Sequence, residues 1–113
     1  MANLVDFTKR GAIGVITVNN PPVNALSVGV PQGIISGIEA GLADADVKAM
    51  VLVGGGRTFI SGADINEFGN PPPPGNANIH DVIKALEAAG KPVVAGVHGT
   101  ALGGGLEVAM GCH

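Results

Sequence analysis

Trp and Tyr are absent from this chain, and Phe occurs only three times in 113 residues. A core must therefore come from Val, Ile, Leu and Ala. Cysteine occurs once, at Cys112, which excludes an internal disulfide and accords with a reducing compartment. Cations are few and scattered (Lys9, Arg10, Lys48, Arg57, Lys84 and Lys91), and the formal net charge is −3. Binding to a phosphate backbone needs clustered Lys and Arg, so nucleic acid is not an expected partner. A long uninterrupted apolar run is also missing. The most apolar stretch, Val93 to Met110, is broken by His98, by Glu107 and by Gly96, Gly99, Gly103, Gly104 and Gly105. A membrane span needs about 20 mostly apolar residues, so no membrane partner is expected and the stretch reads as a buried strand, turn and helix. Met1 to Arg10 contains Asp6 and no apolar block, unlike a secretory signal.

What the chain does have is 46% hydrophobic residues and a mean hydropathy of +0.41, which favours a folded state over disorder. Its length allows one domain at most, with a modest core. Glycine stands out at 19 residues, against a usual share of about 7%. Clustered glycines imply turns with positive φ, or backbone lying close to something else.

Leu4 to Lys9 and Ala12 to Asn19 read as strands joined by a hairpin at Gly11. Asn20-Pro21-Pro22 ends the second strand, and Val23 to Ser27 reads as a loop, with Ser27 as a helix cap. Helical spacing of Ile34, Ile35, Ile38 and Leu42 predicts a helix over Val30 to Leu42, with Pro31 in its first turn. Val47 to Val53 suits a buried parallel strand. Phe59 to Asn66 is irregular, and Pro71 to Pro74 is an extended spacer. Ile79 to Ala89 is helical, closed by Gly90. Val93 to Val97 is a strand, and a helix runs from about Gly104 to Cys112. Strands alternating with helices predict an α/β layered fold with parallel pairing.

Two glycine-containing turns follow strands: Phe59-Ile60-Ser61-Gly62-Ala63-Asp64-Ile65 and His98-Gly99-Thr100-Ala101-Leu102-Gly103-Gly104-Gly105-Leu106-Glu107. Such turns, and helix starts above all, leave backbone N–H groups unpaired. Two of them aimed at one carbonyl oxygen make an oxyanion hole. The plainer alternative, tight turns and nothing more, stands beside it. Gly99 to Gly104 has the glycine spacing of a phosphate-binding loop, but Gly105-Leu106 occupies the place of Lys-Ser/Thr. The dinucleotide fingerprint is unmatched. Ser61 lacks the G-x-S-x-G setting of a nucleophile. Glu107, between Leu106 and Val108, either points to solvent or is a partly buried acid suited to proton transfer. Asp64 reads as a helix-capping or loop carboxylate, and Glu67 likewise. His80, His98, His113 and Cys112 show no metal-ligand spacing, so no metal is expected.

The stretches FISGADINEFG (59–69) and HGTALGGGLEVAMGCH (98–113), with NPPVNALS (20–27) before them, resemble the enoyl-CoA hydratase/isomerase family, the crotonases. The likeness covers nearly the whole chain, and both turns come in the family's order. NPPVNAL and GLEVAMGCH look most like the hydratase domain that opens multifunctional β-oxidation enzymes, which also carry 3-hydroxyacyl-CoA dehydrogenase.

The resemblance implies an α/β, crotonase-like spiral of ββα turns, usually assembled as trimers. Residues 1–113 would be the N-terminal part of one such domain, incomplete at its C-terminus. It implies a CoA thioester as substrate, with its carbonyl held by the backbone N–H groups of Ser61 and Gly104. Many relatives have Ala or Gly where Ser61 stands. Asn24, Ala25 and Leu26, with Ala63, Asp64 and Ile65, would flank the CoA. Glu107 falls on the first catalytic glutamate, which activates water for attack on Cβ of a 2-enoyl-CoA. The second glutamate of the family pattern lies beyond His113, so little or no activity is expected of these residues alone. No cofactor is implied beyond the CoA of the substrate, with NAD only if a dehydrogenase domain follows. The compartment would be bacterial cytoplasm or the peroxisome. A family isomerase acting on a 3-enoyl-CoA, or a non-catalytic acyl-CoA-binding fragment, are the competing readings.

Overall fold

The computed structural model describes residues 4–56, 58–63 and 77–113. β1 (Val5–Arg10) and β2 (Ile13–Val18) form an antiparallel hairpin, turned at Gly11 with φ 59°. β4 (Ala49–Gly54) and β6 (Val93–Gly96) follow β2 in parallel, giving the order β1-β2-β4-β6. The sheet is thus mixed rather than wholly parallel, because a hairpin of such short reach can only close antiparallel. β3 (Ala25–Leu26) and β5 (Gly62–Ala63) make a second, two-stranded parallel sheet where only loop was expected at Val23 to Ser27. Strands of two residues have no periodicity to betray them.

Helix α1 (Val30–Ala43) lies on the main sheet. Its buried face is Val30, Ile34, Gly37, Ile38 and Gly41, whereas Leu42 is exposed and Ile35 half-buried. The expected face is therefore rotated, and the reason is glycine. A Cβ at Gly33 would press on Val5, one at Gly37 on Ile16, and one at Gly41 on Met50. Small residues four apart form a furrow on the helix into which three successive strands project. Ser27 does not cap α1 through its side chain: Gly29 is the N-cap, at φ 95°, and the Ser27 carbonyl accepts from Val30 N–H at 3.0 Å. At the other end, Lys91 Nζ donates to the carbonyls of Gly41 and Asp44, both at 2.8 Å, satisfying groups the helix leaves open.

Helix α2 (Ile79–Ala88) begins with a capping box, Asn78 and Asp81 each accepting from the other's backbone N–H at 3.0 Å. It ends at Ala89 in extended conformation, one residue before the expected Gly90. Val82 and Leu86 bury its inner face against α1 and α3 (Gly104–Gly111). The core joins Ile16, Leu52, Met50, Ile34, Ile38, Phe59, Ile60, Leu86 and Val108. Phe59 is its one fully buried aromatic among the described residues. No helix among the described residues is long and apolar enough to cross a membrane. The Pro71 to Pro74 spacer lies outside the described residues.

Candidate functional site

The ends of β4 and β6 carry the two turns singled out in the sequence, and parallel strands deliver both to the same edge of the sheet. Beyond the strands the segments stay together. Phe59 N–H donates to the His98 carbonyl at 2.8 Å. The Thr58 hydroxyl accepts from Thr100 N–H at 2.6 Å and donates to the Thr100 carbonyl at 2.9 Å. Farther on, residues 60–62 lie against the start of α3. The Cβ position of Gly62, whose φ is +118°, stands 2.9 Å from the Leu102 oxygen and 3.8 Å from the Gly104 nitrogen. A Cβ on Gly105 would collide with the Ile60 carbonyl. Glycine at 62 and 105 is thus a requirement of close approach, the second meaning that clustered glycines allowed.

Gly104 is the first residue of α3, so its N–H has no acceptor within the helix, and none of the described residues accepts from it. Gly105 and Leu106 both donate to the Leu102 carbonyl, at 2.8 and 3.3 Å. The Ser61 N–H is engaged: it donates to the Val23 carbonyl at 3.2 Å, at the long end of the usual range. Glu107 is three residues after Gly104, hence on the same side of the helix. Its side chain is exposed, not partly buried. The inner side of α3 is taken by Gly105 and Val108, so the outer positions fall to Leu106, Glu107 and Met110.

Asn24, Ala25 and Leu26 hold the far side of the Ser61 turn, through the pairs Ala25–Gly62 and Leu26–Ala63. The Asn24 side chain is turned into the fold. It is 1% exposed, and its Nδ2 lies 2.8 to 3.0 Å from the carbonyls of Gly55, Thr58 and Phe59, while its Oδ1 accepts from Asn20 N–H at 2.8 Å. Two N–H hydrogens shared among three carbonyls leave no donor for a substrate. Its part is to fix the segment that leads into Ser61. Ala25 and Leu26 are half-buried. Asp64 and Ile65 lie outside the described residues, as does Glu67.

An open cleft of ≈ 610 Å³ borders the Ser61 turn, walled by Pro22, Val23, Thr58, Ser61, Gly99 and Thr100. Gly104 and Glu107 are not among its lining residues. Among the described residues, no group of three or more His, Cys, Asp or Glu side chains gathers as a metal site would require. Burial pushes the Cys112 thiol up to about 11.

The family's sequence profile, enoyl-CoA hydratase/isomerase, matches residues 8–113. The chain belongs to this family. Across 111 residues this enoyl-CoA hydratase/isomerase chain is 45% identical to a peroxisomal bifunctional enzyme of Danio rerio, covering 96% of the chain and 15% of that protein. It is 38% identical to a probable enoyl-CoA hydratase of Bacillus subtilis over 116 residues, covering 98% of the chain and 45% of the relative. A crystal structure of an enoyl-CoA hydratase/carnithine racemase from Magnetospirillum magneticum superposes with a TM-score of 0.84 at 31% identity, over 99% of the chain and 45% of its own. The fold is thus α/β and crotonase-like. The chain spans less than half the length of each, and matches the multifunctional relative over an N-terminal part. The β-oxidation multifunctional character expected from NPPVNAL and GLEVAMGCH agrees with the name of a further relative, a peroxisomal fatty acid beta-oxidation multifunctional protein of Arabidopsis thaliana, 45% identical over 108 residues, 89% of the chain and 15% of that protein.

Proposed function

We propose that this chain forms the oxyanion-hole part of an acyl-CoA enzyme of fatty acid β-oxidation, one that hydrates 2-enoyl-CoA to 3-hydroxyacyl-CoA. One observation carries the reading: the Ser61–Gly62 turn is packed on the N-terminus of α3, beside an N–H of Gly104 with no described acceptor. In this reading the thioester oxygen sits between the Gly104 and Ser61 amides. The Ser61 N–H shifts its long bond from Val23 to that oxygen. The positive end of the α3 dipole adds to the stabilisation as negative charge builds on the oxygen. Glu107, one turn along, takes a proton from water as the water adds to Cβ, and the electron pair of the double bond moves to the enolate. A second acid then returns a proton to Cα. The CoA moiety, flanked by Ala25, Leu26 and the stretch Ala63 to Ile65, is the chemical group supplied by the substrate, and no separate cofactor takes part. The compartment follows the relatives, peroxisomal or bacterial cytoplasmic. A trimer, or a place within a multifunctional chain, is the proposed assembly.

The reading is tested with two ligands that differ only at the reacting group, crotonyl-CoA and its thioether analogue without the carbonyl. Calorimetry on the 113-residue chain is expected to show tighter binding of the thioester. Equal affinities would remove the oxyanion hole. In the longer enzyme, Glu107→Gln is expected to abolish hydration. Hydration at full rate would remove Glu107 as the base, and an unsubstituted enzyme that shifts the double bond of a 3-enoyl-CoA without hydrating crotonyl-CoA would favour the isomerase.

A further inference from the structure

We propose that Thr58 is a positioning residue that fixes the spacing of the two oxyanion-hole amides, by clasping the turn that leads to Gly104. The inference rests on the acyl-CoA reading above and adds a residue to it. Asn24 and Thr58 are the buried polar side chains among the described residues, and both serve the Ser61 segment. Asn24 holds that segment from the β3 side, through carbonyls on either side of its bend. Thr58 reaches the other way. Its hydroxyl, on a residue 7% exposed, makes both of its hydrogen bonds to the main chain of Thr100. A single side chain thus imitates a β-bridge between residues 58 and 100, three residues before Ser61 and four before Gly104.

The turn it grips has little else to steady it. Gly99, Thr100, Leu102 and Gly103 are exposed, and Gly99 and Gly103 sit at φ 64° and 48°, in backbone regions that glycine leaves and re-enters at little cost. Among the described residues, the other side-chain link between the segments, His98 Nε2 to the Gly56 carbonyl at 3.1 Å, lies at the exposed outer end, farther along the chain from both amides. Donors of an oxyanion hole act in proportion to how well they are held before the charge develops. Thr58 therefore acts on the polarisation of the carbonyl, and on affinity only through the share that the carbonyl supplies.

The test uses the 113-residue chain and crotonyl-CoA labelled with carbon-13 at the carbonyl, read by difference infrared spectroscopy. Wild type is expected to lower the carbonyl stretch of the bound thioester. Thr58→Ser, which keeps the hydroxyl, retains that shift. Thr58→Val, which keeps the shape, returns the band toward its position in free crotonyl-CoA, and its affinity falls no further than that of wild type for the thioether analogue. A full shift in Thr58→Val overturns the proposal. No shift in wild type overturns the acyl-CoA reading instead. A merely structural role would lower the urea midpoint and leave the band where it was. If Thr58→Val does not fold, amide hydrogen exchange in wild type decides: the Thr100 amide must exchange much more slowly than its neighbour Gly99, and equal rates overturn the clasp.

Discussion

Asn24 holds a left-handed backbone, φ 54°, at a position where its carboxamide is also the hub of four hydrogen bonds. The two contributions can be separated. Asn24→Gly keeps the backbone freedom and loses the carboxamide, leaving buried carbonyls short of a donor at a cost of about 1–3 kcal/mol. Asn24→Ala loses both, and the left-handed conformation adds about 1 kcal/mol. Urea unfolding is expected to rank wild type above Asn24→Gly above Asn24→Ala, and equal stability of the two variants would show that strain plays no part. Cys112 allows a second prediction at this scale. Burial raises its thiol from 9.0 to about 11. The folded state then holds the proton more tightly than the unfolded one, so the stabilisation is complete below pH 9 and disappears as pH climbs to 11. The fall in stability over that interval should be steeper in wild type than in Cys112→Ala, and the same slope in both would show that the thiol titrates normally in the fold.

At the scale of elements, helix propensity and packing pull in opposite directions at Gly105. Alanine in a helix interior is favoured over glycine by about 1 kcal/mol. Here its Cβ would drive into the Ile60 carbonyl, an atom of the backbone that cannot rotate aside. Packing wins, so Gly105→Ala is expected to lower the thermal midpoint and to abolish thioester binding by lifting α3 off the Ser61 turn. A variant that is more stable and still binds would mean that the turn and helix are not in register. The same contrast shows which features the sequence displays openly. Val- and Ile-rich runs gave the strands of the main sheet and the first two helices to within one or two residues, because period and composition agree there, and the third helix was read from the glycine-rich turn before it. The convergence of the two glycine turns was legible through family motifs. Three things were not. The furrow of Gly33, Gly37 and Gly41 is set by what projects from the strands. The β3–β5 pairing is too short to have a period. The clasps by Asn24 and Thr58 link residues 31 or more apart in sequence, and only the positive φ that Asn tolerates could have hinted at the first.

For the whole molecule, the decisive feature is what α3 presents outward. Its inner side closes the core through Gly105 and Val108, while Leu106 and Met110 stand in water, Met110 at 76% exposure, with Glu107 between them. General acid–base catalysis of hydration needs two proton transfers, one from water at Cβ and one to Cα, and each well-placed group contributes about 10²–10⁴-fold. Among the described residues, Glu107 is the carboxylate carried by α3 beyond the Gly104 amide, and bulk water surrounds it. A hydrated carboxylate forfeits the benefit of a dry site, where charge is felt more strongly. The proposed thioester contact is less demanding, since Gly104 already sits at a helix start with an N–H from which no described residue accepts. Binding and turnover should therefore part company. The 113-residue chain is expected to bind crotonyl-CoA and yet to hydrate it no faster than buffer does, as followed by loss of the conjugated enoyl absorbance. Turnover in the ordinary enzyme range of roughly 1–10³ s⁻¹ would mean that a second acid already stands beside Glu107 within these 113 residues.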